Sequence, residues 1–208
     1  MKILITGSSG FVARHLQKNF LKNKRIKLFF ITRKKTRKKN FIRLDMSKIT
    51  EFKQKNLSFD FVIHTAFLKK KNKTTMFKKL QLNFRISENL IKILKNINFK
   101  KVINLSTSSL YPNISGKFQE NSKINFIKNS DFDYALAKYY TEKIIDNNFP
   151  KKKILHLRVG QIFGGTQEMN IISDMKRSLI QKNFIEIFGD GSRKISIIHI
   201  SKLFKYII

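Results

Sequence analysis

The sequence predicts an α/β fold: a doubly wound parallel sheet with helices on both faces. Three observations carry this. Apolar stretches of strand length alternate with segments of helical period along the whole chain. The strand candidates are almost continuously apolar, as burial on both faces requires. The first of them breaks into Gly7-Ser8-Ser9-Gly10 directly before a helix-period segment, the context in which a glycine turn cradles a phosphate.

In chain order, Lys2–Thr6 (KILIT) reads as the first strand. Phe11–Leu21 is the first helix, with apolar residues at 12, 16, 20 and 21 on one face. Lys27–Thr32 (KLFFIT) is a second strand, followed by a basic run. Phe41–Leu44 is a short third strand and Phe59–Thr65 (FDFVIHT) a fourth. Leu80–Leu94 is a long amphipathic helix, and Lys101–Ser106 (KVINLS) a fifth strand. Asp133–Asp146 is helical, Ile154–Val159 (ILHLRV) is another strand and Ile171–Gln181 another helix.

The 208 residues suffice for one ordinary domain, and 41% hydrophobic residues supply a sizeable core. Without cysteine there is no disulfide scaffold, thiolate metal site or cysteine nucleophile. The four histidines show no metal-ligand spacing, so no metal site is expected. No apolar run approaches a membrane span, and MKILITGSSG lacks a signal-peptide pattern. The expectation is a soluble, cytoplasmic protein without a membrane partner.

Lys and Arg number 44 against 13 Asp and Glu, a net charge of +31. Such a charge is a usual cue for nucleic-acid binding. Here, however, the abundant residues (35 Lys, 30 Ile, 20 Phe, 18 Asn) have A/T-rich codons, and the scarce Ala, Gly and Pro have G/C-rich ones. The lysines are also dispersed. Base composition accounts for the bias, and no specific nucleic-acid partner is expected, although the charge still draws anionic ligands inward.

At the glycine turn, small residues allow close approach to a pyrophosphate held by helix N-terminal N–H groups. Gly7, Ser9, Gly10, Phe11 and Val12 are the expected contacts, and a β-branched residue at Gly10 is expected to block the approach. An NAD-preferring site places an acid at the end of the second strand. That strand ends Thr32-Arg33-Lys34-Lys35, and no acid occurs between Gly10 and Asp45. A guanidinium can bind a 2′-phosphate bidentately. Arg33 therefore tips the expected cofactor from NAD to NADP.

Tyr134 and Lys138 stand four apart on a predicted helix, hence on one face. An adjacent ammonium favours the phenolate, so the Tyr134 pKa is expected to fall from about 10 toward the range useful for acid–base chemistry. The fifth strand runs into Ser106-Thr107-Ser108-Ser109, hydroxyls at the end of the strand where such sheets present ligand-binding groups.

Glycine turn, hydroxyl cluster and YxxxK, in this order, resemble the extended short-chain dehydrogenase/reductases, the NAD(P)-dependent epimerase/dehydratase family acting on nucleotide-sugars. The resemblance covers nearly the whole chain. It implies a Rossmann-like fold with Thr107, Tyr134 and Lys138 as catalytic residues, Tyr134 and Lys138 also meeting the cofactor. Asp45 and Met46 match the family's adenine contact. Phe61–Ala66 is similar to its VIHLAA strand end, so Thr65 and Ala66 line the cofactor. Asn83 matches the family's helix asparagine. Leu157–Gly164 is similar to LRxxNVYGP, with Gln161 in place of Asn and Gly165 in place of Pro. Phe188–Arg193 resembles the GDG hairpin that closes over substrate, and Ile195–Leu203 (ISIIHISKL) resembles the RDFIHVDDL strand, although Ser201-Lys202 lack its acids. The implied substrate contacts are Ser108, Ser109, Gln161 and Arg193. Residues 1–160 form the implied dinucleotide-binding domain, and residues 161–208 a partial substrate lobe that includes the last sheet strand.

Family members normally continue beyond that strand, so part of the sugar-nucleotide pocket is expected to be missing. Dehydratases carry an acidic pair directly after the catalytic threonine; Ser108-Ser109 stand there instead, which favours an epimerase or 4-keto-reductase. The implied partner is a nucleotide-sugar, and a homodimer is compatible with the resemblance. Two other readings stay open: a catalytically idle dinucleotide-binding sensor or partner subunit, and, more distantly, a basic nucleic-acid-binding module.

Overall fold

The structure is a computed structural model that describes residues 1–48, 51–54, 56–68, 74–114, 116–165, 171–187, 190–191 and 194–207. Its elements are β1 (Lys2–Thr6), α1 (Phe11–Phe20), β2 (Lys27–Thr32), β3 (Phe41–Arg43), β4 (Leu57–His64), α2 (Met76–Lys95) and β5 (Ile97–Thr107), then α3 (Phe132–Asp146), β6 (Ile154–Val159), β7 (Gln161–Phe163), α4 (Ile171–Lys182), β8 (Ile197–His199) and α5 (Ile200–Ile207). The main sheet has the order β3-β2-β1-β4-β5-β6, and every pairing in it is parallel. The order reverses between β1 and β4, and the crevice at their carboxyl ends is where such sheets bind ligands.

Strand periodicity sorts the apolar residues into two cores. Leu4, Val62 and Val102 face α2 and α3, packing with Leu90, Ile93, Leu94 and Ile145. Ile3, Ile5, Ile63 and Ile103 point the other way, to Val12, Ala13, Leu16 and Phe20 of α1. The expected doubly wound α/β fold is present.

The larger differences from the sequence pattern each have a physical reason. Helix α2 begins at Met76, capped by the Thr75 hydroxyl accepting from Lys78 N–H at 3.3 Å. Its first turn was illegible because Met76 and Phe77 face solvent. Strand β5 starts at Ile97 because Ile97 and Phe99 are buried beside β4. The run 195–203 is not one strand. It is the three-residue β8, paired with β7 in a separate two-stranded sheet, followed by α5. From residue 200 the apolar residues follow helical spacing, and Ile200, Leu203 and Ile207 join the core beneath α1. Phe204 meets Phe20 with ring centroids 5.0 Å apart.

A buried ion pair fixes the other edge of the sheet. Arg158 of β6 donates to both carboxylate oxygens of Glu142 on α3, at 3.0 and 2.8 Å, and to the Tyr111 hydroxyl at 3.0 Å. The fork geometry compensates a carboxylate that is almost wholly out of water. It ties β6, α3 and the loop after β5 together beside Tyr134.

Candidate functional site

The turn between β1 and α1 is built around Gly7. Its φ is +71°, and a Cβ there would lie 2.7 Å from Ala66 Cα and 2.8 Å from Ala66 N. Glycine is required on both counts. Gly10 N–H closes the turn on Gly7 O at 2.8 Å. Gly10 is less constrained than the sequence suggests: its φ is −71°, and an added Cβ would meet only Gly7 O, at 3.1 Å.

Helix α1 has no side-chain cap and no acid in its first turn. The earliest intrahelical bond runs from Arg14 N–H to Gly10 O, so the N–H groups of Phe11, Val12 and Ala13 lack intrahelical acceptors. Together with the helix dipole they form a site for an anion. The Val12 side chain is buried in the core, which leaves its backbone as the contact.

An open groove leads from this turn. It is lined by Gly7, Ser8, Ser9 and Gly10, by Thr32 and Arg33 after β2, by Asp45, Met46 and Ser47 after β3, and by Thr65, Ala66, Phe67 and Leu68 after β4. A small-residue cradle, open helix N–H groups and one long groove together fit a dinucleotide. Asp45 accepts from Ser47 N–H at 3.0 Å and from Ser47 Oγ at 2.7 Å. Burial works against its charge, but these bonds and the Arg33 charge hold its carboxyl below the usual range.

The floor of the groove is knit by Thr6 and the end of β4. Thr6 Oγ1 and His64 Nδ1 share a bond of 2.8 Å, and Thr65 Oγ1 donates to Thr6 O at 2.7 Å. Burial, with the Lys138 charge second, brings the His64 pKa down to about 3. Unfolding frees this imidazole to take a proton at its ordinary pKa. The stability linked to His64 is therefore full above that value and is lost as pH falls toward 3. The urea midpoint is expected to drop between neutrality and about pH 4, and His64→Asn should flatten that slope. An unchanged slope in the variant would refute the assignment.

Next to Phe67 of the groove wall, α3 carries Tyr134 and Lys138. Lys138 is buried and its Nζ donates to Leu105 O at 2.7 Å. The same Nζ is 5.9 Å from the Tyr134 ring centroid. Thr107, the last residue of β5, hydrogen-bonds the Tyr134 hydroxyl. Its own Oγ1 accepts from Ser109 N–H at 3.1 Å. Thr107 from β5 and Lys138, one turn along α3, thus both approach the Tyr134 ring. The expected lowering of the Tyr134 pKa is not found in the ligand-free chain. Burial pushes it up, the Thr107 bond opposes this, and the Asp131 charge adds to the rise. Spacing reveals the nearby ammonium but not the loss of water.

The family model of the NAD dependent epimerase/dehydratase family matches residues 3–208. The chain belongs to this family. It is 28% identical over 215 residues to a GDP-L-colitose synthase of Yersinia pseudotuberculosis, covering 93% of this chain and 67% of that protein. Among solved structures it resembles the UDP-glucuronic acid 4-epimerase of Bacillus cereus in complex with UDP-glucuronic acid and NAD. The TM-score is 0.77 at 21% identity, over 99% of this chain and 71% of that one. It also resembles the ADP-L-glycero-D-manno-heptose-6-epimerase of Helicobacter pylori, with TM-score 0.75 and 16% identity over 98% and 71% of the two chains.

In this epimerase/dehydratase family member, several expected contacts have other partners. Asn83 clasps the loop after β4: its Oδ1 accepts from Leu68 N–H at 2.9 Å and its Nδ2 donates to Leu68 O at 3.3 Å. Ser109 Oγ donates to Asp131 at 2.6 Å, and Ser108 begins a short 3₁₀ turn. Gln161 is exposed on β7, with its backbone N–H on Ser196 O at 2.8 Å. Arg193 lies outside the described residues. No cluster of three or more metal-ligating side chains occurs among the described residues. Nor is any described helix long and apolar enough to cross a membrane.

Two residues of the site escaped sequence reasoning. Asn89 holds the loop after β3, donating to Met46 O at 2.8 Å and Lys48 O at 2.7 Å. A polar residue on the buried face of α2 was the available cue. Phe67 lies beside Tyr134 and Lys138, and nothing in its sequence context distinguishes it from core.

Proposed function

We propose that the chain is an NAD(P)-dependent enzyme acting on a nucleotide-sugar, as an epimerase or 4-keto-reductase. The observation that carries this reading is the approach of Thr107 and Lys138 to Tyr134, next to Phe67 in the wall of a groove that fits a dinucleotide. Gly7, Ser9, Gly10, Phe11 and Val12 would hold the pyrophosphate. Asp45 and Met46 would meet the adenine, Thr65 and Ala66 would line the chain of the cofactor, and Asn83 would fix that wall. The bound nicotinamide supplies the hydride acceptor or donor. Tyr134 takes or gives the accompanying proton at the sugar oxygen, Thr107 orients that oxygen, and Lys138 holds the nicotinamide ribose. A phenol kept protonated by burial is suited to donate, which supports the reductive half of either reaction. Ser108, Ser109, Gln161 and Arg193 remain the proposed sugar contacts. The names of the similar proteins, which include UDP-, ADP- and GDP-linked sugars, support the substrate class.

The deciding experiment incubates the purified chain with NADP or NAD and a panel of UDP-, dTDP-, GDP- and CDP-sugars. Products are followed by NMR and the cofactor by its absorbance. Conversion of at least one sugar supports the reading; failure to bind either dinucleotide overturns it. Arg33 lines the groove, and its charge-assisted bonds to a 2′-phosphate should favour NADP by about ten-fold or more. Titration at two salt concentrations separates this from general attraction by the basic surface. Unchanged NADP affinity in Arg33→Ala, or tighter binding of NAD by the parent, would refute the preference.

A further inference from the structure

Phe67 stands between the two halves of the site. On one side it belongs to the wall of the groove, with Ala66 and Leu68. On the other it meets the reacting pair. Its ring centroid is 5.0 Å from that of Tyr134, edge to face at 84°. Lys138 Nζ lies over its face, 4.8 Å from the centroid. An aromatic face attracts a desolvated ammonium through its quadrupole, and an edge-to-face contact fixes the orientation of a neighbouring ring. The Leu105 carbonyl holds Lys138 from the β5 side, and the Phe67 ring meets the same ammonium from the β4 side.

We propose that Phe67 is a positioning residue: its face holds the Lys138 ammonium and its edge keeps water from the Tyr134 phenol, so that the pair keeps one geometry in a dry setting. The catalytic meaning of this rests on the roles given above to Tyr134 and Lys138; the packing does not. The charged and titratable groups facing the pair are Asp131 before α3, Lys138 itself, and His64 at the end of β4, which burial keeps neutral. Burial is the largest influence on the Tyr134 phenol, and Phe67 is an aromatic neighbour that supplies it.

The test is a titration of Tyr134 in the cofactor-free chain. The five tyrosines are replaced biosynthetically by fluorotyrosine, and the Tyr134 resonance is assigned by its loss in Tyr134→Phe. Phe67→Ala is expected to lower the Tyr134 midpoint, because water reaches the phenol. Phe67→Leu restores apolar cover and should leave the midpoint near the parent's. If Phe67→Ala does not stay folded, Phe67→Val is read in its place. An unchanged midpoint in the smaller variant overturns the proposal. So does a shift in Phe67→Leu as large as in Phe67→Ala, since that reports general loosening. These outcomes do not depend on turnover: a chain that binds neither dinucleotide would sink the functional reading and leave this test standing.

Discussion

Tyr134→Phe is expected to lower turnover by about 100- to 10,000-fold, the usual contribution of a general acid–base group, while leaving dinucleotide affinity nearly unchanged. Only the transferable proton is removed. The ring keeps its edge-to-face contact with Phe67 and its place on α3. Lys138→Ala should damage binding as well as turnover, because Lys138 is assigned to the ribose and its ammonium also packs on Phe67. Thr107→Ala should cost less, since Ser106 and Ser108 flank it. Turnover and affinity measured on the same preparations decide the matter. Equal turnover in Tyr134→Phe and the parent would remove Tyr134 from the chemistry.

Gly7→Val should abolish dinucleotide binding altogether. A residue with a Cβ at φ +71° is strained by roughly 1–3 kcal/mol. The new side chain would also press against the Thr65–Ala66 backbone, whose atoms lie 2.7 to 3.0 Å from the ideal Cβ. Either the turn opens or the end of β4 moves, and both change the groove. Gly10→Val is the milder perturbation, because its backbone conformation suits any residue and only Gly7 O is close. Fluorescence titration with reduced cofactor compares them. Parent-like affinity in Gly7→Val would refute the phosphate-loop assignment.

The parts of the site legible in the sequence are those fixed by local geometry. The glycine turn follows a strand and precedes a helix within ten residues, so its place in the fold could be read directly. Tyr134 and Lys138 share a helix face by spacing alone. What spacing cannot convey is what crosses from other elements: the Leu105 carbonyl on Lys138, the Asn83 amide on Leu68, the Ser109–Asp131 bond. The direction of the Tyr134 pKa was misjudged for this reason, since burial is a property of the assembled fold. Strands β1 and β2 were legible because burial on both faces leaves long apolar runs. The misread run 195–203 is rich in β-branched isoleucine, which favours strand locally. Burial of Ile200, Leu203 and Ile207 against α1 overrides that preference.

The packing of α5 on α1 also bears on how the chain is made. The face of α1 that receives Leu203 and Phe204 is synthesised well before α5, the element that covers it. Until the late segment arrives, Phe20 and its neighbours lack part of their apolar cover. A nascent or prematurely terminated chain therefore presents a sticky surface to chaperones and to other copies of itself.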